Sequence, residues 1–286
     1  MERQNRALAR QPVVRLVRRS TLVVIMVLSN ARGLARFALS ALVAPMIMYA
    51  SSSAAVASGT PSSLLDAWLG FPAASDIVPP YAFIRADESA ERLDGAREDL
   101  IAEFKRLRWR LDEGGYARYV AALDAWQAGI GQRDRSRVPG DWSPSYLLSH
   151  PNSRPPVERV VAIGACDVPD TLGVWSSAGH EQIAWQSGLR LSDLYEQVPA
   201  VRDGTTGFVS VVTPDGQVNR YGTQAWNYAD GVLSPGAQVV SSFPLSGQVF
   251  GWMQDAMADY LAHTPSGVNC REQDLSGERV SARAKE

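Results

Sequence analysis

The sequence predicts an α+β fold, and three stretches carry that prediction. Residues 208–221 place β-branched and aromatic residues around Pro214-Asp215-Gly216, which is typical of a β-hairpin. Residues 88–129 repeat apolar side chains at helical spacing and are broken by Gly114-Gly115, which indicates two antiparallel helices. Residues 245–263 carry one continuous apolar stripe, which predicts an amphipathic C-terminal helix.

The remaining elements follow from local patterning. Short helices are expected at 62–70, where Ser62 or Ser63 can cap the first turn, and at 189–195. Further strands are expected at 81–85, 157–165, 171–175, 181–185 and 238–242. The order strand, strand, helix, strands after residue 156 indicates one helix covering a mixed sheet. After Pro265 the chain is polar, so residues 264–286 are predicted to form a disordered tail.

The first 57 residues differ from the rest. Arginines recur from Arg3 to Arg36, short apolar runs at 21–28 and 37–50 each follow basic residues, and Ala55-Val56-Ala57 ends a small-residue stretch. This layout predicts a cleavable signal peptide at 1–57 and a periplasmic location; a membrane anchor is the alternative. Removing this segment, which holds eight arginines and one glutamate, changes the net charge from −2 to about −9. An acidic body argues against nucleic acid as a partner and against a polybasic membrane-surface protein.

Cys166 and Cys270 are the only cysteines. In an oxidising compartment they can form one disulfide, and otherwise they are two unpaired thiols. Sequence separation does not decide between these, because pairing depends on the distance between the two Cα atoms.

The sequence offers no catalytic constellation. Its three histidines lack the spacing of metal ligands, and no nucleotide-binding or nucleophile motif is present, so we predict no metal, no cofactor and no catalytic residue. The polar segment 131–156 interleaves arginines with aromatics, which suits a sugar- or anion-contacting surface, although a solvated connector has the same composition. The candidate ligand-binding residues are Arg133, Arg135, Arg137, Trp142 and Tyr146.

The C-terminal helix has three candidate roles. Its stripe can pack on the protein's own body, meet a partner, or meet a membrane. The candidate partner-binding residues are Val249, Trp252, Met253, Met257 and Tyr260.

Several stretches resemble a known family, the capsule biosynthesis proteins of the GfcC type. They are VERVVAIGACDVP at 157–169, GLRLSDLYEQV at 188–198, VSVVTPDGQVNRYGTQAWNYADGVLSPGAQVV at 209–240, and SSLLDAWLGF near the start. The resemblance implies two β-grasp-like domains, at 58–155 with the helical hairpin 88–129 inserted, and at 156–244 as a soluble-ligand-binding β-grasp module. It also implies an arginine after the hairpin, for which Arg133 stands closest and Arg135 or Arg137 is the alternative.

These observations predict a non-enzymatic periplasmic protein of capsule or exopolysaccharide biosynthesis or export. Its expected partner is a polysaccharide or an outer-membrane polysaccharide exporter, without nucleic acid and without a stable membrane span. One alternative is a polysaccharide-modifying enzyme with a carboxylate pair between the domains. Another is a structural adaptor that docks through the helix at 245–263.

Overall fold

The computed structural model describes residues 61–72, 74–133, 135–245 and 248–276, so the predicted signal peptide lies outside the described residues. These residues contain helices and two separate sheets, which confirms the predicted α+β class. The helices are α1 (Leu64–Leu69), α2 (Ser89–Glu113), α3 (Ala117–Gly131), α4 (Pro144–Ser149), α5 (Leu191–Gln197) and α6 (Gln248–Ala262). The strands are β1 (Ala82–Ala86), β2 (Val160–Asp167), β3 (Thr171–Ser176), β4 (Gly179–Ala184), β5 (Phe208–Val212), β6 (Val218–Gly222), β7 (Gln238–Val240) and β8 (Val268–Asp274).

The larger sheet has five strands in the order β4-β3-β7-β5-β6. Antiparallel hairpins form its two ends, β3 with β4 and β5 with β6. Between them, β7 runs parallel to β3 and antiparallel to β5. The β5–β6 hairpin is the one predicted around Pro214-Asp215-Gly216, and Gly216 adopts the positive φ, +83°, that this turn requires.

Both faces of this sheet are buried, because alternate side chains point to opposite sides. One face, with Val174, Val209 and Val239, packs against Leu191 and Leu194 of α5. The other face, with Trp175, Val212 and Val240, packs against α2, α3 and α6. The sheet is therefore the middle layer between one short helix and a group of three helices.

The helical hairpin matches its prediction. On α2, the buried side chains Leu93, Leu100, Phe104, Leu107 and Leu111 recur at three-, four- or seven-residue steps. On α3, Tyr119, Leu123, Trp126 and Ile130 do the same. Gly115, at φ +74°, makes the turn between the two helices. The two apolar faces meet each other and the sheet, and they form the largest core of the protein.

The smaller sheet has the order β1-β2-β8, with both pairings antiparallel. It corrects two predictions. The domain boundary expected at residue 156 separates β1 from β2, although these strands pair directly. The disordered tail expected from residue 264 includes β8, which pairs with β2. The sequence of β8 is polar because this edge strand is mostly exposed, so it lacks the apolar alternation that identifies a strand.

The packing of helix α6 distinguishes between the three candidate roles of its apolar stripe. Met253, Met257 and Tyr260 are completely buried in the large core, and Val249 packs against it. Of the five residues proposed to contact a partner, only Trp252 is substantially exposed. The apolar stripe therefore packs on the protein's own body, because the helix covers one face of the larger sheet.

The segment 131–156 is more ordered than a solvated connector. It contains α4, which Ser143 caps by accepting a hydrogen bond from the backbone N–H of Tyr146. Leu147 of this helix is buried in the core of the smaller sheet. No helix among the described residues is both long and apolar enough to cross a membrane.

Candidate functional site

A cavity of about 410 Å³ lies where the end of α3 meets β4 and the start of β8. We call it the Arg133 cavity. Its polar lining comes from Gln132, Arg133, Arg135, His180, Gln182 and Thr264, and the segment from Pro265 to Cys270 completes its wall. The volume is sufficient for a group of the size of one or two sugar rings.

The backbone of Arg133 is held by two helices. Its carbonyl oxygen accepts a hydrogen bond from the guanidinium of Arg97 on α2 and another from the hydroxyl of Tyr260 on α6, at 3.3 Å. Residue 133 follows directly after α3, so three helices fix the point at which its side chain departs. Such anchoring limits the reorganisation that ligand binding requires.

The side chain of Arg133 is oriented by neutral groups. Its Nη2 donates to Oε1 of Gln238 at 2.9 Å, and its Nη1 donates to the hydroxyl of Thr264 at 3.4 Å. The same Oε1 accepts from the indole nitrogen of Trp175 at 3.0 Å. Gly173 leaves room for this amide, because a Cβ there would lie 2.2 Å from Oε1. The guanidinium also lies 5.8 Å from the Trp175 ring, within cation–π range.

His180 on β4 lies beside the arginine and stacks on Trp175, with ring centroids 3.7 Å apart. Its Nε2 lies 3.3 Å from the side-chain amide nitrogen of Gln182, within hydrogen-bond distance. Burial, and then the nearby charge of Arg133, lower the pKa of His180 from 6.5 to about 4. His180 is therefore neutral at pH 7.

Gly129 explains how this stack fits under α3. A Cβ at this position would lie 2.5 Å from the Trp175 ring and 2.6 Å from Nδ1 of His180. The last turn of α3 therefore contacts the two rings through bare backbone. A larger residue would push the helix away from the cavity.

A disulfide between Cys166 and Cys270 fixes the outer wall, across a sequence separation of 104 residues. Close by, Nη1 of Arg135 donates to the carbonyl oxygen of Cys270 at 3.2 Å. Gly267 passes so near Cys166 that a Cβ would lie 2.2 Å from its Cβ. The disulfide thus holds β8 against β2 and keeps the wall in contact with Arg135.

The cavity has a positive charge that the described residues around it leave unbalanced. Neither Arg133 nor Arg135 forms an ion pair with any residue that the structure describes, and the described residues that line the cavity include no Asp or Glu. Burial lowers the pKa of Arg133 to about 10, so its guanidinium keeps its charge at neutral pH. A partly buried arginine without a carboxylate partner is stabilised by binding an anion, and its planar donors fit a carboxylate, phosphate or sulfate.

The structure separates the five predicted ligand-binding residues. Arg133 and Arg135 line the Arg133 cavity. Arg137 is 1% exposed and donates to three backbone carbonyls, of Gly140, Pro214 and Asp215, so it joins the connector to the β5–β6 turn. Trp142 donates to the carbonyl of Val138 and packs on the core of the smaller sheet. Tyr146 stacks on His150, outside the cavity.

Other residues of the site were not among those predicted from the sequence. Gln132, His180, Gln182 and Thr264 come from three separate parts of the chain, and only the fold brings them together. His180 gives one local signal, because it is a histidine within a strand pattern beside Glu181. Its aromatic partner Trp175 is visible only after β3 and β4 are paired.

No group of three or more potential metal ligands occurs in the described parts of the chain. Comparison with protein-family models and with curated proteins gave no match for this chain.

Proposed function

We propose that this protein acts in capsule or exopolysaccharide biosynthesis or export, in the periplasm, by binding an acidic polysaccharide through the Arg133 cavity. Binding, rather than chemical change of the polymer, is its role. The anionic group of the polymer pairs with Arg133, and Arg135 supports it from the outer wall.

One observation carries this proposal. Arg133 is held in place from three helices and faces a cavity without a carboxylate partner among the described residues. Keeping a charge there has a desolvation cost, and a ligand anion offsets that cost. Since residues 58–286 carry a net charge of about −9, the body as a whole does not attract an anionic polymer, whereas the Arg133 cavity presents a positive charge to it.

Two further features support the extracytoplasmic setting and the family. The disulfide between Cys166 and Cys270 suits an oxidising compartment such as the periplasm. The larger sheet has a first hairpin, a covering helix, a second hairpin and a central strand parallel to the first. This strand order is compatible with the β-grasp-like module that the resemblance to GfcC-type capsule proteins implies, and we include that module in the proposal. The outer-membrane exporter remains a predicted partner.

The two alternative functions have less support. An enzyme that cleaves glycosidic bonds needs two facing carboxyl groups, and the described residues that line the Arg133 cavity, where we place the polymer, include none. An adaptor that docks through α6 needs an exposed apolar stripe, and apart from Trp252 the side chains of that stripe pack in the core.

Calorimetric titration tests the proposal. The body from residue 58 onward would be titrated with oligosaccharides from the polymer that the source organism exports. We expect binding by the wild-type protein and a loss of at least tenfold in affinity for Arg133→Gln, because the substitution removes the charge and the paired donors. Arg133→Lys keeps the positive charge but loses the planar pair of N–H donors, so we expect an intermediate affinity.

Arg92→Gln is the matched control, because Arg92 is an exposed arginine that does not line the cavity. The affinity of Arg92→Gln for the oligosaccharides should stay within about twofold of wild type, because a single exposed charge has only a weak effect. Equal affinities for wild type and Arg133→Gln, with both proteins folded by circular dichroism, would disprove the role of this cavity.

A further inference from the structure

A second surface lies on the opposite face of the larger sheet, where α5 meets the loop between β6 and β7. Trp226 on this loop is 84% exposed, and Tyr228 is also exposed. The loop itself is firmly held: the Asn227 side chain donates to the carbonyl of Gly207 at 2.9 Å and accepts from the backbone N–H of Gln224 at 2.9 Å. An exposed indole on an ordered loop is typical of a contact surface.

Beside this loop, a cleft of about 410 Å³ is lined by Tyr195 and Tyr228, together with residues of α5 and the turn that follows it. We call it the Tyr195 cleft. The Tyr195 side chain is only 8% exposed, and its hydroxyl has no hydrogen-bond partner within the described structure. A buried hydroxyl without a partner is unfavourable. Since Tyr195 lines the cleft, a ligand there can supply the missing hydrogen bond once the side chain turns its hydroxyl towards the cleft.

The edge of the cleft offers both donors and acceptors. Glu196, Arg202 and Asp203 line it, and their side chains form no hydrogen bond or ion pair with other described residues. Two carboxylates against one guanidinium give this edge a net negative charge. An anionic group is therefore disfavoured here, in contrast to the Arg133 cavity.

We propose that the Tyr195 cleft and Trp226 form a second binding site, for an uncharged sugar ring of a glycan. A sugar ring has hydroxyls that both donate and accept, which match Tyr195, Arg202 and the two carboxylates. It also has an apolar C–H face, which packs on flat aromatic rings such as those of Trp226 and Tyr228. The identity of the polymer rests on the proposed function, whereas the location of this site does not.

Fluorine NMR of protein labelled with 5-fluorotryptophan tests the site directly. The probes are cellohexaose, maltohexaose and neutral fragments of the exported polymer. We expect the Trp226 signal, assigned from Trp226→Phe, to shift on addition of at least one probe. The signal of Trp109, which is 62% exposed on α2, is the matched reference and should stay in place.

Two variants sharpen this test. Tyr195→Phe removes only the unpartnered hydroxyl, so we expect a melting temperature equal to or above wild type together with a loss of affinity of about fivefold to tenfold. Trp226→Ala should weaken binding at least tenfold without unfolding the protein, because the indole supports no core contact. A merely structural role for Tyr195 would lower the melting temperature and leave affinity unchanged.

The results separate this inference from the proposed function. Arg133→Gln should leave the Trp226 response to neutral probes intact. A Trp226 signal that no neutral probe shifts, or that responds only to a protein partner, would overturn the sugar site even if acidic oligosaccharides bind at Arg133. A Trp226 response without any effect of Arg133→Gln on acidic ligands would support the sugar site and refute the proposed function.

Discussion

Gly129 shows how one residue without a side chain shapes the Arg133 cavity. Gly129→Ala would place a methyl group against the Trp175 and His180 rings, at the 2.5 Å and 2.6 Å separations given above. We expect a loss of roughly 1–3 kcal/mol in the free energy of unfolding, because rings of this size cannot move without displacing the core. Chemical denaturation with urea measures this loss.

Gly95→Ala is the matched control, since Gly95 also lies in a helix but a Cβ there meets nothing within 4 Å. We expect it to stabilise the protein by about 0.5–1 kcal/mol, from the better helix propensity of alanine. If both substitutions behaved alike, the close contact at Gly129 would be wrong.

His180 gives the stability a specific pH dependence. Its pKa is about 4 in the folded protein and 6.5 ordinarily, so the unfolded chain binds a proton below pH 6.5 that the folded chain does not. The neutral histidine makes its full contribution to the unfolding free energy above pH 6.5, and this contribution is lost as the pH falls towards 4. Urea denaturation between pH 7 and pH 4 should therefore show a weaker pH dependence in His180→Gln than in wild type.

The slope of the unfolding free energy against pH should differ between the two proteins by nearly the equivalent of one bound proton. The carboxylates contribute equally to both slopes. Identical slopes for wild type and His180→Gln would mean that His180 titrates normally. An NMR titration of its ring protons, with the exposed His150 as the internal reference, gives the same answer for the folded state alone.

Helix α6 carries the clearest prediction at the level of an element. Met257→Ala would empty a fully buried site, and we expect it to cost about 2–5 kcal/mol of unfolding free energy. Trp252→Ala on the same helix should cost less than about 1 kcal/mol, because roughly half of that side chain is exposed. Thermal unfolding of both variants compares the two losses of stability. A larger loss for Trp252→Ala than for Met257→Ala would favour the stripe as a partner-binding surface.

Strand β8 depends on the disulfide. Replacing both Cys166 and Cys270 by alanine should cost roughly 2–5 kcal/mol, because the bond closes a loop of about 100 residues. Hydrogen exchange should report loss of protection at residues 268–274 before the larger sheet opens. A second expected effect is weaker binding at the Arg133 cavity, whose wall includes Cys270. Unchanged protection of β8 would show that its backbone pairing suffices.

How far the sequence predicts the structure depends on the kind of element. The hairpins and the long helices were predictable because apolar spacing and turn residues such as Gly115 and Gly216 are local signals. Helix α4 and strand β8 were not, because α4 lies in a polar segment rich in turn-forming residues and β8 is polar. The role of α6 was ambiguous, since an apolar stripe is the same whether it faces a core or a partner.

The candidate site was predictable in part. Arg133 and Arg135 could be singled out from a cluster of arginines, but Arg137 carries the same local signal and is a structural residue. What distinguishes them is the three-dimensional surroundings: backbone carbonyls enclose Arg137, whereas a cavity faces Arg133. No pattern within one segment encodes that difference.

At the scale of the whole molecule, helices cover both faces of the larger sheet, and the two proposed sites lie on opposite sides of it. One is cationic and the other is aromatic with a negative edge. We propose that the two sites together contact acidic and neutral sugars of one polymer.

The most direct test of the central claim compares two forms of the same ligand. Oligosaccharides of the exported polymer would be titrated into the wild-type protein before and after their acidic groups are neutralised, by reduction of carboxylates or removal of phosphate or sulfate. We expect neutralisation to weaken binding at least tenfold and to abolish the difference in affinity between wild type and Arg133→Gln. Equal binding of the charged and neutralised forms would contradict the central claim.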